Sequence, residues 1–239
     1  MRRLVRTEWL KLATTRGPWA VIAGLLALSA LITAFEMAEI RAGRSALAAR
    51  EALAIGPGFI TPLVLLVLGA LAVSGEYRHR TAISTYLITP RRGRILAAKL
   101  VANAAFGAVV AGLGIAASFP IVLLMARSDG VQVATGARLT GIAFAIVAVA
   151  ALASVCGVAA GSILRSQTGA LIAILLWALL AERFFSGFLP PVLPFGAILT
   201  AVGMGADDTP GSLASLTVLA TWAGALVLAA TRFIERDIT

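Results

Sequence analysis

LTGIAFAIVAVAALASVCGVAAGSIL, residues 139–164, contains no charged side chain. A bilayer core about 30 Å thick needs roughly 20 apolar residues as a helix, so this run is long enough to cross one. Moving outward, five more segments read as spans: 18–35, 57–75, 100–125, 168–181 and 213–231. The third of the six carries Asn103, Ser118 and Pro120. The fifth is short, because Glu182 and Arg183 end it. A further apolar stretch, 192–206, is shorter still and holds Pro194, Gly196, Gly203 and Gly205. Its length and its Gly/Pro content suit a re-entrant or interfacial piece better than a seventh span.

Composition agrees. Of 239 residues, 60% are hydrophobic and 13% charged, and the mean hydropathy is +0.97. Soluble domains are about 45–50% apolar and about 25% charged, and disorder needs low hydrophobicity with high net charge. Both classes are excluded. The expected fold is a single all-α integral membrane domain over 1–239, with six transmembrane helices.

The net charge of +9 reads as topology. With the N-terminus inside, the cytoplasmic segments hold 14 basic and 4 acidic residues, and the outer segments hold 6 and 7. That is +10 inside and −1 outside, as the positive-inside rule demands. The flipped orientation would break the rule, and five spans would strand Arg232 and Arg236 outside. Both termini are therefore expected in the cytoplasm. The basic residues before 18 lie ahead of an apolar run as in a signal peptide, but 16 mostly polar residues precede it and no clean cleavage site follows Phe35, so a retained first span is expected.

Active-site chemistry is hard to find. The single Cys156 sits in an apolar run, where it reads as a small hydrophobe, and the single His79 lies in a loop. Neither makes a metal site, which needs several ligands at set spacing. Lys11 and Lys99 lack the glycines of a phosphate loop, no G-x-S-x-G elbow occurs, and Asp207–Asp208 beside Thr209–Pro210 reads as a solvated turn. No span has a charge at its centre, which argues against an ion-coupled carrier. The chain is expected not to be an enzyme by itself, with no cofactor of its own and no metal.

Small residues recur at four-residue spacing: Ala104, Ala108 and Gly112 in the third span, and Ala153, Gly157 and Gly161 in the fourth. Such stripes let helices approach closely in lipid. Ordinary packing within the chain is the expectation, with a dimer or moving interface as the alternative. The Glu182–Arg183 pair marks an interface level or, alternatively, a gate.

Two cytoplasmic segments stand out. In 1–16, Val5, Trp9, Leu12 and Ala13 share a helical face opposite Arg3, Thr7, Lys11 and Thr14, with Glu8 and Leu10 interrupting the pattern. An interfacial helix, with Trp9 at headgroup level and arginines toward anionic membrane lipid, competes with a basic flank that only sets topology. In 76–99, Arg78, Arg80, Arg91, Arg92, Arg94 and Lys99 accompany the single acid Glu76. Aromatic stacking platforms are missing, so no nucleic-acid partner is expected. Residues 81–89 lean toward strand by composition, and Pro90 ends whatever precedes it.

The run Gly75-Glu76-Tyr77-Arg78-His79-Arg80-Thr81, followed by Leu87-Ile88-Thr89-Pro90-Arg91-Arg92-Gly93-Arg94 and then Lys99, resembles the loop after the second span of ABC-2 type transporter permeases. Thr7-Glu8-Trp9-Leu10-Lys11-Leu12 resembles the acid-x-x-Lys-Leu element at that family's start, and Arg236-Asp237-Ile238 resembles its ending. Leu193-Pro194-Phe195 fits too, although the basic cluster after Pro90 is denser than the simplest family pattern. The resemblance implies an interfacial elbow helix over 1–16 that includes Glu8, Trp9, Lys11 and Leu12. It implies a cytoplasmic coupling loop over 76–94, with Glu76, Arg78, Arg80, Thr81, Pro90, Arg91 and Arg92 docking on a separate ATP-binding subunit. The extracellular or re-entrant segment is 187–211. Two ATP-binding subunits, which hold ATP and Mg²⁺, would join two permease copies, or this chain and a paralogue, in a bacterial cytoplasmic membrane. Uncharged spans suggest an exported cargo that is apolar or amphiphilic: a drug, antibiotic, peptide or lipid-like molecule. The alternative is a non-transport membrane protein, either an intramembrane enzyme or a scaffold.

Overall fold

A computed structural model describes residues 1–42, 54–78, 92–129, 137–185, 193–203 and 212–236. Every regular element among them is helical. α1 is Arg2–Thr14 and α2 is Arg16–Arg41. A π-helical stretch, Ala54–Ile60, runs into α3, Thr61–Arg78. α4 is Arg92–Asp129 and α5 is Ala137–Leu164. α6, Gln167–Leu176, continues through a π-helical turn, Trp177–Ala181, into α7, Glu182–Phe185. α8 is Pro194–Ala201 and α9 is Ser212–Arg236.

Among the described residues, five helices are long and apolar enough to cross a membrane: Arg16–Ile40, Gly56–Arg78, Gly93–Met125, Thr140–Leu164 and Leu213–Ile234. The count is one fewer than the sequence suggests. The helical path from Gln167 to Phe185 is apolar but broken by its π turn, and only Gln167–Leu176 is a regular apolar helix. The third span also starts earlier than expected, because α4 begins at Arg92 inside the segment read as loop. Lys99 therefore sits two turns into a helix.

Local chemistry explains the breaks. Thr15, with φ −81° and ψ 124°, is extended and separates α1 from α2, and Pro18 stands in the first turn of α2, where a missing N–H costs nothing. Pro57 cannot donate to the preceding turn, and the widened π helix lies there. Arg165 turns the chain between α5 and α6 with φ 51°, and Ser166 caps α6 by accepting a hydrogen bond from the Gly169 N–H at 3.2 Å.

The bundle is held together where α3 crosses α5. A Cβ on Gly161 would lie 2.5 Å from the Ala70 carbonyl oxygen and 2.9 Å from its Cα, and one on Gly157 would fall on the Leu66 carbonyl. From the other side, a Cβ on Gly69 would meet the Ser154 carbonyl oxygen at 2.5 Å. Backbone meets backbone at this crossing, the geometry that small residues permit in lipid. The third-span stripe is different. Gly112 is exposed and a Cβ there would meet nothing, and Ala108 is only half-buried. The packed residue is Gly107, where a Cβ would lie 2.9 Å from the Ala150 carbonyl oxygen. Within this chain, then, it is Gly107 and not Gly112 that meets a neighbouring helix. Large apolar side chains such as Leu31, Phe35, Leu124, Phe144 and Leu228 point outward, the arrangement a lipid surround allows.

Candidate functional site

Two acids and two bases from three helices meet at one end of the bundle. Lys99, on α4, donates to Glu8 Oε2 at 2.8 Å and to Glu76 Oε1 at 2.6 Å. Lys11, one turn beyond Glu8 on α1, donates to Glu8 Oε1 at 2.7 Å and to Glu76 Oε1 at 3.1 Å. Glu76 comes from the last turn of α3. The side chains of Lys99 and Glu8 are 7% and 10% exposed, while Lys11 is 44% exposed at the rim. Asn103 Nδ2 donates to the Lys99 carbonyl at 2.9 Å.

The cluster is neutral overall, which is what allows it to leave water: isolated charges would cost several kcal/mol each to bury, and pairing with shared hydrogen bonds offsets that. Burial alone would push the Glu8 carboxyl up. The Lys99 ammonium and the hydrogen bonds from Lys11 and Lys99 outweigh burial and hold the group below its ordinary value. Burial would likewise lower Lys11, but its hydrogen bond to Glu8 and the Glu76 carboxylate hold it above its ordinary value.

Aromatic rings fix the α1–α2 corner onto α4. Trp9 and Trp19 both pack edge-on against Phe106, with centroids 6.0 and 6.2 Å apart. Trp19 Nε1 donates to the Ala13 carbonyl at 2.8 Å, which locks the start of α2 to the end of α1.

Beside the cluster lies a cavity of about 840 Å³. Its walls are mostly apolar, from Pro18 and Val21 on α2, Leu68 and Leu71 on α3, and Phe106 on α4. Glu8, Lys11, Glu76 and Lys99 form its charged side, and Asn103 and Ser154 add polar atoms. The volume is within the usual 300–1,000 Å³ of small-molecule sites.

A second set of contacts lies at the same end of α3. The Arg165 guanidinium stands 5.8 Å over the Tyr77 ring and donates to the Phe233 carbonyl at 3.3 Å. Arg78 Nη1 donates to Gln167 Oε1 at 2.9 Å. Thus the N-terminal helix and the ends of α3, α5 and α9 are tied to one another.

The structure sorts the sequence candidates. It brings Glu8, Lys11 and Glu76 together and puts Trp9 and Leu12 against the core beside them. Glu76 is turned onto the two lysines, and Arg78 reaches toward α6. Arg92 opens α4. Arg80, Thr81, Pro90 and Arg91 lie outside the described residues. The Glu182 carboxylate accepts the Phe195 and Gly196 N–H groups at 3.0 and 2.5 Å, so it caps the start of α8; Arg183 is its neighbour in α7. Sequence reading left Lys99, Asn103 and Phe106 out of the site. One usable signal was present: Glu8 stands on the apolar side of the α1 wheel, where an acid needs a buried base. Among the described residues no group of three or more His, Cys, Asp or Glu side chains converges on a point that could hold a metal.

No protein-family model matches the sequence, and no curated protein does. The class follows from the fold: five long apolar helices packed around a glycine crossing make the chain a multi-pass membrane protein.

Proposed function

We propose that the chain is the membrane permease subunit of an ATP-driven exporter of the ABC-2 type, working with a separate ATP-binding subunit. The observation that carries this reading is the four-charge junction. Glu76 and Lys99 flank the cytoplasmic loop, and each binds a residue of the N-terminal helix: Glu76 accepts from Lys11, and Lys99 donates to Glu8. A push on that loop reaches α1, α3 and α4 together, beside a cavity able to hold an amphiphile. The residues that carry the family resemblance, Glu8, Lys11, Glu76 and Lys99, are the ones that meet.

The expected topology of six spans with both ends cytoplasmic has independent support. α5 ends and α6 begins near Tyr77 and Arg78, and α9 ends near Arg165. A chain that leaves this end at Gln167 and returns along α9 has to traverse the bundle between them. The helical path Gln167–Phe185 is about 28 Å long at 1.5 Å per residue, enough for that sixth crossing. Residues 187–211, which include the short α8, then form the outer or re-entrant piece. In this mechanism nucleotide binding in the partner favours one of two arrangements of the spans, and the loop transmits the bias.

The test is purification of the chain from its native bacterial membrane under mild detergent, followed by reconstitution. A co-purifying ATPase with a phosphate-loop motif and ATP-dependent efflux are expected. A complex without any nucleotide-binding subunit, together with no ATP-dependent flux, overturns the proposal.

A further inference from the structure

We infer that the 840 Å³ cavity binds a single-tailed amphiphile with an anionic head, the head on the Lys11 side and the tail along Leu68, Leu71 and Phe106. The inference deepens the exporter reading by naming a cargo class, and it rests on that reading for transport alone; binding stands separately.

The sign of the head follows from the hydrogen-bond inventory. An ammonium has three N–H donors, and Lys11 and Lys99 each give two to the carboxylates. Both Glu8 oxygens are taken by lysines. A cationic head would stand beside the Lys11 ammonium at the rim and be repelled by it. An anionic head needs no displacement, since Lys11 keeps a donor at the rim with 44% of its side chain exposed.

The start of α2 adds an independent attraction. Thr15 and Gly17 line the cavity, and Arg16, between them, is exposed. No side chain caps this helix: the Thr15 hydroxyl donates back to the Lys11 carbonyl instead. The start of this 26-residue helix carries no side-chain cap, and it is the end where the helix dipole favours an anion. Below this polar rim the walls are apolar, as a hydrocarbon tail requires.

Brominated lipid quenches tryptophan on contact, and Trp9 and Trp19 both flank Phe106 in the cavity wall. The experiment uses the full chain with Trp177→Phe and Trp222→Phe, in nanodiscs of zwitterionic phosphatidylcholine, titrated with dibromostearate. Saturable quenching is expected. A trimethylammonium analogue with the same dibrominated tail should quench at least about tenfold more weakly. Lys11→Met should weaken dibromostearate by about tenfold, and Lys11→Arg should restore it. Ala72→Phe, which narrows the cavity, should weaken both probes. If Lys11→Met does not fold, the two heads on the parent chain and the Ala72→Phe variant decide. Equal quenching by anionic and cationic probes, non-saturable quenching, or indifference to Ala72→Phe overturns the inference. Saturable anion-selective binding without ATP-driven flux would sink the exporter reading and leave the site; flux without anion selectivity would do the reverse.

Discussion

Lys99→Met removes the ammonium at the centre of the junction while keeping a stem of similar length. In the wild-type chain that ammonium holds Glu8 at 2.8 Å and Glu76 at 2.6 Å, and the Lys99 and Glu8 side chains are almost fully buried. Lys11 remains as a partner, but at the rim, where water screens it. Removing one member of a buried ion pair costs about 3–5 kcal/mol, because the other charge stays buried and unpaired. Unfolding in detergent, by heat or by titrated SDS, should show a loss of that size. The double variant Glu8→Gln/Lys99→Met leaves Lys11 and Glu76 as a neutral pair and should recover at least half of the loss, since a matched removal strands no charge. A Lys99→Met chain within about 0.5 kcal/mol of wild type, or a double variant no more stable than the single one, refutes the reasoning.

The same experiment has a pH arm. Glu8 is held below its ordinary 4.5, so its contribution is present above that pH and is lost as pH falls through the lower folded value. Lys11 is held above its ordinary 10.5, so its contribution is present below that pH and is lost as pH rises through the higher folded value. Wild type should therefore show a plateau between about 4.5 and 10.5, as far as these two groups are concerned. In Lys99→Met the largest opposing influence on Glu8 is gone and burial acts against its ionised form. The stability lost on ionising Glu8 should then appear at pH values above 4.5 and shrink on acidification, the opposite sign to wild type.

Other perturbations separate structural roles from functional ones. Gly157→Leu should destabilise the bundle by at least about 1–3 kcal/mol, since its Cβ falls on the Leu66 backbone, while Gly112→Leu should stay within about 0.5 kcal/mol; equal effects in unfolding would mean the α3–α5 crossing is not as close as described. Glu182→Ala should cost about 0.5–2 kcal/mol as a lost helix cap; if the proposed export holds, flux per folded molecule should be unchanged, and changed flux at full stability would favour the gate. Arg165→Gly and Arg165→Ala both lose the Tyr77 and Phe233 contacts, but only glycine accepts φ 51° freely. The glycine variant should therefore be the more stable by about 1 kcal/mol in thermal unfolding.

How much of this was legible depended on whether the physics was local. Spans are written in composition over about 20 consecutive residues; α2, α4, α5 and α9 each contain the run read as a span, and the run 57–75 is covered by the π-helical stretch and α3 together. The ends were less accurate. The basic residues Arg92 and Arg94 suggested a loop, yet a helix that emerges from lipid keeps its backbone hydrogen bonds in water, and α4 simply continues through them. The weak fifth span was visible as weak, and the π turn at Trp177–Ala181 lies where the apolar run gives out. Four-residue spacing in the third span says which small residues share a face without saying which face meets a partner: within the chain Gly107 is packed and Gly112 is not.

The junction was illegible for a different reason. A helical wheel measures a helix against a uniform surround, and by that measure Glu8 is an error in α1. Its distant partner, Lys99, lies on α4, and Glu76 on α3 is the second acid that the two lysines share; only folding brings these residues, far apart in sequence, to one place. Nor does stability alone call for charges here, because a buried ion pair is often no better than well-packed apolar residues of the same volume. Shared pairing supplies something apolar packing does not. Glu8 and Glu76 each hold both lysines, so a slide of α1 by one residue would break several hydrogen bonds at once and leave charges buried and unmatched. Apolar contacts would slip at little cost. The four residues therefore fix one register of the N-terminal helix against the end of α3 and the first turns of α4, the property a joint needs if it is to move as a unit.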